Sequence, residues 1–136
     1  MRYMLDTNIC IYAIRHRPAQ VVTTLRARAG AGIGVSSITV AELCFGVEKS
    51  ASPRNSRALQ HFLAPLELAD FDLNAAKVYG RIRYELERAG TPIGPLDTQI
   101  AAHALALGVT LVSNNTREFA RVSGLTLENW AEAAAR

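Results

Sequence analysis

Cysteine is scarce in this chain. Cys10 and Cys44 stand far apart, with no second pair beside either. A zinc site needs four thiolate or imidazole ligands at short spacings, so this pattern argues against one. Both cysteines fall in apolar helical stretches and read as buried free thiols of a reducing compartment. Long hydrophobic runs are also missing. The longest, Ile100 to Val112, contains His103 and is too short to span a bilayer. The amino-terminal stretch MRYMLDTNIC has an acid at position 6 and no extended apolar segment, so it does not read as a signal peptide. No internal repeat, low-complexity tract or linker is evident. The expectation is a cytoplasmic protein, without a membrane segment, built as one domain over residues 1–136.

What is present suits that size. The 136 residues are 49% hydrophobic and 20% charged, enough to close one core. The net charge of +3 is uneven: residues 1–60 carry +5 and the remainder −2. Arginine far outnumbers lysine. Arginine suits bidentate phosphate contacts, and a GC-rich genome produces the same bias. A mildly basic chain is compatible with a nucleic-acid partner without requiring one.

Hydrophobic periodicity alternates between strand and helix. RYMLD reads as a short buried strand ending at Asp6, followed by a helix from about Thr7 to Arg15. Pro18 opens another helix to about Ala29. GAGIGVSS reads as turn, strand and turn. Residues 39–50 form a helix with Val40, Leu43, Cys44 and Val47 on one face. Pro53 suits the first turn of a helix reaching about Leu63. LELADFD is a strand with polar ends. Ala75, Val78, Ile82, Leu86 and Ala89 then recur at helical spacing until Gly90. After a Gly-Pro turn, a helix containing Asp97 runs to Gly108. The strand VTLVS, a short helix at Thr116–Arg121 and the strand LTLEN complete the chain. This alternation predicts an α/β sandwich around a central, mainly parallel sheet of about five strands. In such sheets the functional crevice lies beyond the carboxyl ends of the strands.

Four polar residues gather at that edge. Asp6 ends the first strand, Glu42 lies in the first turn of the helix after the second, Asp97 begins the helix leading into VTLVS, and Asn115 follows that strand. Carboxylates held together repel and titrate upward unless a positive charge joins them. A hard divalent cation, Mg²⁺ or Mn²⁺, binds through one or two carboxylates and keeps several waters. Such a site assists hydrolysis of a phosphodiester. Each acid also has a purely structural explanation. Asp6 can cap the first helix. TVAE at 39–42 is a capping box in which Thr39 caps and Glu42 reaches back. Asp97 is favoured by the helix dipole, and NNTREF is a good helix start. From spacing alone, the two explanations stand level.

Three blocks in order, MLDTNICIYAI, VSSITVAELCFGVEKS and GTPIGPLDTQIAAHALALGVTLVSNNTREFARVSGLTLENW, resemble the PIN-domain family. The resemblance is strongest to the VapC toxins of toxin–antitoxin modules and covers essentially the full chain. It implies an α/β/α fold and an Mg²⁺- or Mn²⁺-dependent endoribonuclease. Asp6, Glu42 and Asp97 match the family's acidic positions. By that analogy Asp6 and Asp97 contact the metal, and Glu42 holds or deprotonates a water. The family's frequent fourth acid falls here on Asn115, which offers an oxygen without charge and favours one strong metal site. Glu118 is a candidate to compensate for the missing charge, but within TREF it reads chiefly as a helix-start residue. Thr7, Asn8 and Ser113 are candidates to orient the carboxylates or bound waters. The resemblance further implies a homodimer, a VapB-type antitoxin near the active site, and operator DNA bound only through that antitoxin. The chain shows no helix-turn-helix of its own. An RNA substrate is implied, with a tRNA anticodon stem-loop as the leading candidate.

Two other readings are weighed against this one. A PIN-like module could bind antitoxin and RNA without cutting, its site weakened by Asn115. A haloacid-dehalogenase-type phosphatase needs a second Asp where Asn8 stands, which argues against it. Arg15, His16 and Arg17 form a basic patch suited either to RNA phosphates or to a solvated helix end. Arg81 with Glu85, and Arg83 with Glu87, are spaced for surface ion pairs. His61 and His103 lie on apolar helices and read as core or boundary residues. The Ile38–Phe45 region and HFLAP suit either core or a partner surface.

Overall fold

A computed structural model describes residues 1–132; residues 133–136, the end of the expected domain, lie outside the described residues. The order is β1 (Tyr3–Leu5), α1 (Thr7–Arg15), α2 (Ala19–Arg28), a short 3-10 turn (Ala29–Ala31), β2 (Ile33–Ser36), α3 (Ser37–Ser50), α4 (Pro53–Leu63), β3 (Glu67–Ala69), α5 (Leu73–Arg88), α6 (Pro95–Leu107), β4 (Thr110–Val112), α7 (Thr116–Phe119) and β5 (Leu127–Glu128). Among the described residues the strands form one sheet in the order β3-β2-β1-β4-β5. Every pairing is parallel, where sequence alone indicated a mainly parallel sheet.

The sheet is covered on both faces, as parallel sheets are. Side chains alternate along a strand, so β1 feeds two cores. Tyr3 and Leu5 join Ile9, Cys10, Val21, Val35 and Leu59 on the face covered by α1, α2 and α4. Met4 joins Ile82, Ile100, Ala101, Leu111 and Phe119 on the face covered by α5, α6 and α7. Small side chains let α6 pack into this core: Ala101, Ala102 and Ala104 are all fully buried. Gly108 closes α6 in the left-handed conformation (φ +69°), which glycine adopts without a Cβ penalty.

Chain direction around the sheet fixes where chemistry can occur. From β1 the chain moves outward to β2 and β3, then returns to place β4 on the other side of β1. The reversal lies between β1 and β4, and the crevice beyond the strand ends opens there. Asp6 follows β1 and Ser113 follows β4, so both stand at that point.

Several local expectations are corrected. α3 begins at Ser37, and its cap is Ser36, whose hydroxyl accepts from Ile38 N at 3.1 Å. Thr39 is therefore a buried residue inside the helix, not its cap. α7 ends at Phe119, and the final strand shrinks to Leu127–Glu128. Cys10 is buried, but Cys44 is exposed beside Phe45, which is 69% exposed. Of the two histidines read as core or boundary residues, His103 is buried and His61 is exposed. Arg83 pairs with Glu87 at 3.1 Å, whereas Arg81 and Glu85 form no ion pair among the described residues. No helix among the described residues is long and apolar enough to cross a membrane.

Candidate active site

Asp6 is the most constrained of the acids. Its backbone N–H donates to the Val112 carbonyl at 3.0 Å, extending the β1–β4 pairing. Its side chain caps α1, Oδ1 accepting from Ile9 N at 2.9 Å. The structural role read from sequence is thus present, and one carboxylate oxygen carries it. Only 4% of the residue is exposed. Burial pushes its pKa from 3.8 up to about 6; hydrogen bonds from Ser113 and Ile9 oppose the rise, and the nearby Asp97 and Glu42 carboxylates reinforce it. Capping alone would leave this group an ordinary acid.

Glu42 has left the capping role that TVAE suggested. Its Oε1 accepts from Thr7 Oγ1 at 2.7 Å, and Thr39 Oγ1 lies 3.5 Å from the same hydroxyl. Thr7 comes directly after Asp6, so the first residue of α1 ties the acid of α3 to the acid of β1. Asp97 is the third residue of α6, behind Pro95. Thr98 locks that turn, its Oγ1 donating to the Gly94 carbonyl at 2.8 Å. Desolvation raises the Asp97 pKa, followed by the charges of Glu42 and Glu118. The three predicted acids therefore sense one another from three separate elements.

The edge after β4 completes the group. Ser113 is buried, hydrogen-bonds Asp6, and accepts from Asn115 N at 2.8 Å. Asn115 Nδ2 donates to Glu118 Oε2 at 2.7 Å. Glu118 is thus more than a helix-start residue: its carboxylate is held by Asn115 and acts on Asp97. The signal available in sequence was its position three residues after Asn115 on one helical turn. Asn8 lies at the rim of the group. It is exposed and makes no hydrogen bond to the acids among the described residues.

No Lys or Arg forms an ion pair with Asp6, Glu42, Asp97 or Glu118 among the described residues. Nor do three His, Cys, Asp or Glu groups there close tightly enough to enclose an ion by themselves. The donor set still fits a hard cation: the donors are carboxylate and hydroxyl oxygens, and an ion that keeps its waters needs only one or two carboxylates. Cys10, the nearby thiol, is buried and pushed well above its ordinary pKa by desolvation, so it is inert. A cleft of about 280 Å³ between α1, α3 and α4 is lined by Glu42, Arg15, Leu43, Val47, Asn55 and Leu59. Arg15, His16 and Arg17 are all exposed.

Known proteins resemble this chain in sequence and fold. The PIN domain matches residues 3–125. A protein named tRNA(fMet)-specific endonuclease VapC, from Shigella flexneri, is 45% identical over 132 residues, 96% of this chain and 99% of its own. A protein named Ribonuclease VapC2, from Haemophilus influenzae, is 48% identical over 131 residues, covering 96% and 98%. Among solved structures, a chain of VapBC2 from Rickettsia felis, bound to a DNA fragment from their promoter, superposes with a TM-score of 0.88 at 46% identity, over 96% of this chain and 99% of that one. Likeness this even, in sequence and in the parallel sheet that brings the acids together, means that the chain belongs to the PIN domain family, on its VapC branch.

Proposed function

We propose that this chain is an Mg²⁺- or Mn²⁺-dependent endoribonuclease, the toxin of a VapBC-type module, which cuts RNA and so stops translation in the cytoplasm. The observation that carries the reading is the convergence of Asp6, Glu42 and Asp97, with no cationic partner among the described residues, where the sheet reverses. Asp6 and Asp97 would hold the ion. When bound, it would offset their charge, polarise a phosphodiester and make a water easier to deprotonate. Thr7 donates to Glu42 Oε1, which leaves Oε2 for a water proton. Ser113 and the Ile9 amide fix Asp6 so that it need not reorganise. In hydrolysis the water oxygen bonds to phosphorus, the bond to the leaving ribose oxygen breaks, and that oxygen takes up a proton.

The relative from Shigella flexneri is named for a tRNA, which supports tRNA as the substrate class. The complex from Rickettsia felis supports a VapB-type antitoxin as partner, with operator DNA reached through it. A homodimer belongs to the same reading.

The test is cleavage of total tRNA by antitoxin-free protein, wild type beside Asp97→Asn, with Mg²⁺, Mn²⁺ or EDTA. Discrete fragments that require both the metal and Asp97 are expected. Cleavage that persists in EDTA and in Asp97→Asn would overturn the mechanism. Folded protein that binds RNA and antitoxin yet cuts neither tRNA nor other cellular RNA would favour the non-cutting module.

A further inference from the structure

A second buried polar cluster links the elements that carry the acids while containing none of them. His103, on α6, is 1% exposed, and its Nδ1 lies 2.8 Å from Ser36 Oγ across 67 residues of sequence. Ser36 is fully buried and caps α3 through Ile38 N. The Phe71 ring meets the His103 ring edge-on, centroids 5.5 Å apart, and Phe71 N donates to Ser37 Oγ at 3.0 Å. Burial lowers the His103 pKa, against the opposing influence of Asp72 and Asp70.

Ser36 Oγ accepts from Ile38 N–H at 3.1 Å and also meets His103 Nδ1, so one hydroxyl serves both contacts. A histidine that merely fills core needs a partner too. What distinguishes His103 is where its bond lands: on the hydroxyl that starts the Glu42 helix, from the helix that begins with Asp97.

We propose that His103 is a positioning residue for the acid cluster: acting through Ser36, it holds the first turn of α3, and hence Glu42, in register with α6 and Asp97. The effect on catalysis rests on the ribonuclease reading above; the effect on α3 does not.

The test uses His103→Leu, His103→Asn, Ser36→Ala and Ser36→Thr in the full chain. Leucine keeps the bulk without polarity. Asparagine keeps a hydrogen-bonding group near the place of Nδ1, and threonine keeps the hydroxyl. Amide hydrogen exchange over residues 37–42 is read beside kcat and KM for RNA cleavage. His103→Leu and Ser36→Ala should each speed exchange there and lower kcat about tenfold, the smaller end of what losing an orienting partner does, with KM unchanged. The double variant should be no worse than Ser36→Ala, which already breaks the link to His103. His103→Asn and Ser36→Thr should recover most of both losses. Wild-type exchange in His103→Leu, equal damage in His103→Asn and His103→Leu, or additive losses would each overturn the proposal. If His103→Leu does not fold, His103→Phe takes its place: it keeps a ring, removes both nitrogens and leaves the Ser36 cap untouched. If the wild type cuts no RNA, the ribonuclease reading fails, and exchange alone still decides whether His103 holds α3.

Discussion

Thr7 Oγ1 stands 2.7 Å from Glu42 Oε1, and the residue before Thr7 is Asp6. One hydroxyl therefore couples the acid at the end of β1 to the acid carried by α3. Thr7→Val keeps the shape and removes the donor. Its kcat should fall about 10- to 100-fold, the usual cost of losing an orienting partner, while Thr7→Ser stays near wild type. Steady-state cleavage of tRNA measures this. Equal rates for valine and serine would show that the bond plays no part in turnover.

The Asp6 carboxyl makes a prediction about pH. Its folded pKa is raised from 3.8 to about 6, chiefly by burial. Between those values the folded chain holds the proton that the unfolded chain has lost. This contribution to stability is complete below about pH 4, declines as pH rises toward 6, and is gone above it. The difference is on the order of 3 kcal/mol. Asparagine caps a helix as well as aspartate does and cannot ionise. In EDTA, Asp6→Asn should melt above wild type at pH 7, with the advantage vanishing near pH 4. The neutral His103, which resists acid, is common to both proteins and cancels. A gap between the two melting curves that ignores pH would contradict the assignment.

Divalent metal should reverse that instability. An ion that binds only the folded chain stabilises it by about 2.7 kcal/mol at one hundred times its Kd. Titrating Mn²⁺ at pH 7 should raise the wild-type Tm, and the rise should shrink sharply in Asp6→Asn and in Asp97→Asn. A rise of equal size in all three would place the ion elsewhere.

Gly34 tests the sheet beneath the site. A Cβ at this position in β2 would come within 2.5 Å of the Glu67 main-chain oxygen and would also collide with the Met1 methyl. Met1 can swing aside, but β3 cannot without breaking its pairing with β2. Gly34→Ala should cost about 1–3 kcal/mol, as overpacking does, read from urea unfolding. A wild-type midpoint would mean that β3 is free to shift.

The fold was legible because helix and strand periods alternate cleanly, and the grouping of Asp6, Glu42 and Asp97 because each lies near a helix start at the same sheet edge, although Glu42 is the sixth residue of α3 and not in its first turn. The cap of α3 was not. Ser36 and Thr39 are both hydroxyl residues, and the second is followed by a Glu at capping-box spacing. Only the reach of Thr7 from α1 shows that Glu42 is engaged elsewhere. Exposure of Cys44 and His61 was also misjudged, since the phase of a helix at the rim depends on which neighbour covers it. Glu118 was underweighted for a related reason. Its partner Asn115 is local, but the Asp97 carboxylate it acts on arrives from 21 residues earlier in the chain.

Asn115→Asp tests how that last pair shapes the site. The Asn115 amide donates to Glu118 Oε2 at 2.7 Å, so a neutral donor holds this carboxylate at an edge that already carries Asp97. An aspartate there would lose the donor and set a second carboxylate against Glu118. Without metal, the lost bond to a charged group should cost about 1.5–3 kcal/mol, lowering the Tm in EDTA. With metal, the added charge should tighten Mn²⁺ binding, so calorimetric affinity rises as metal-free stability falls. Opposite movement of the two quantities is the signature of a residue that belongs to the ion's surroundings. If Tm falls while Mn²⁺ affinity stays fixed, Asn115 supports only the start of α7.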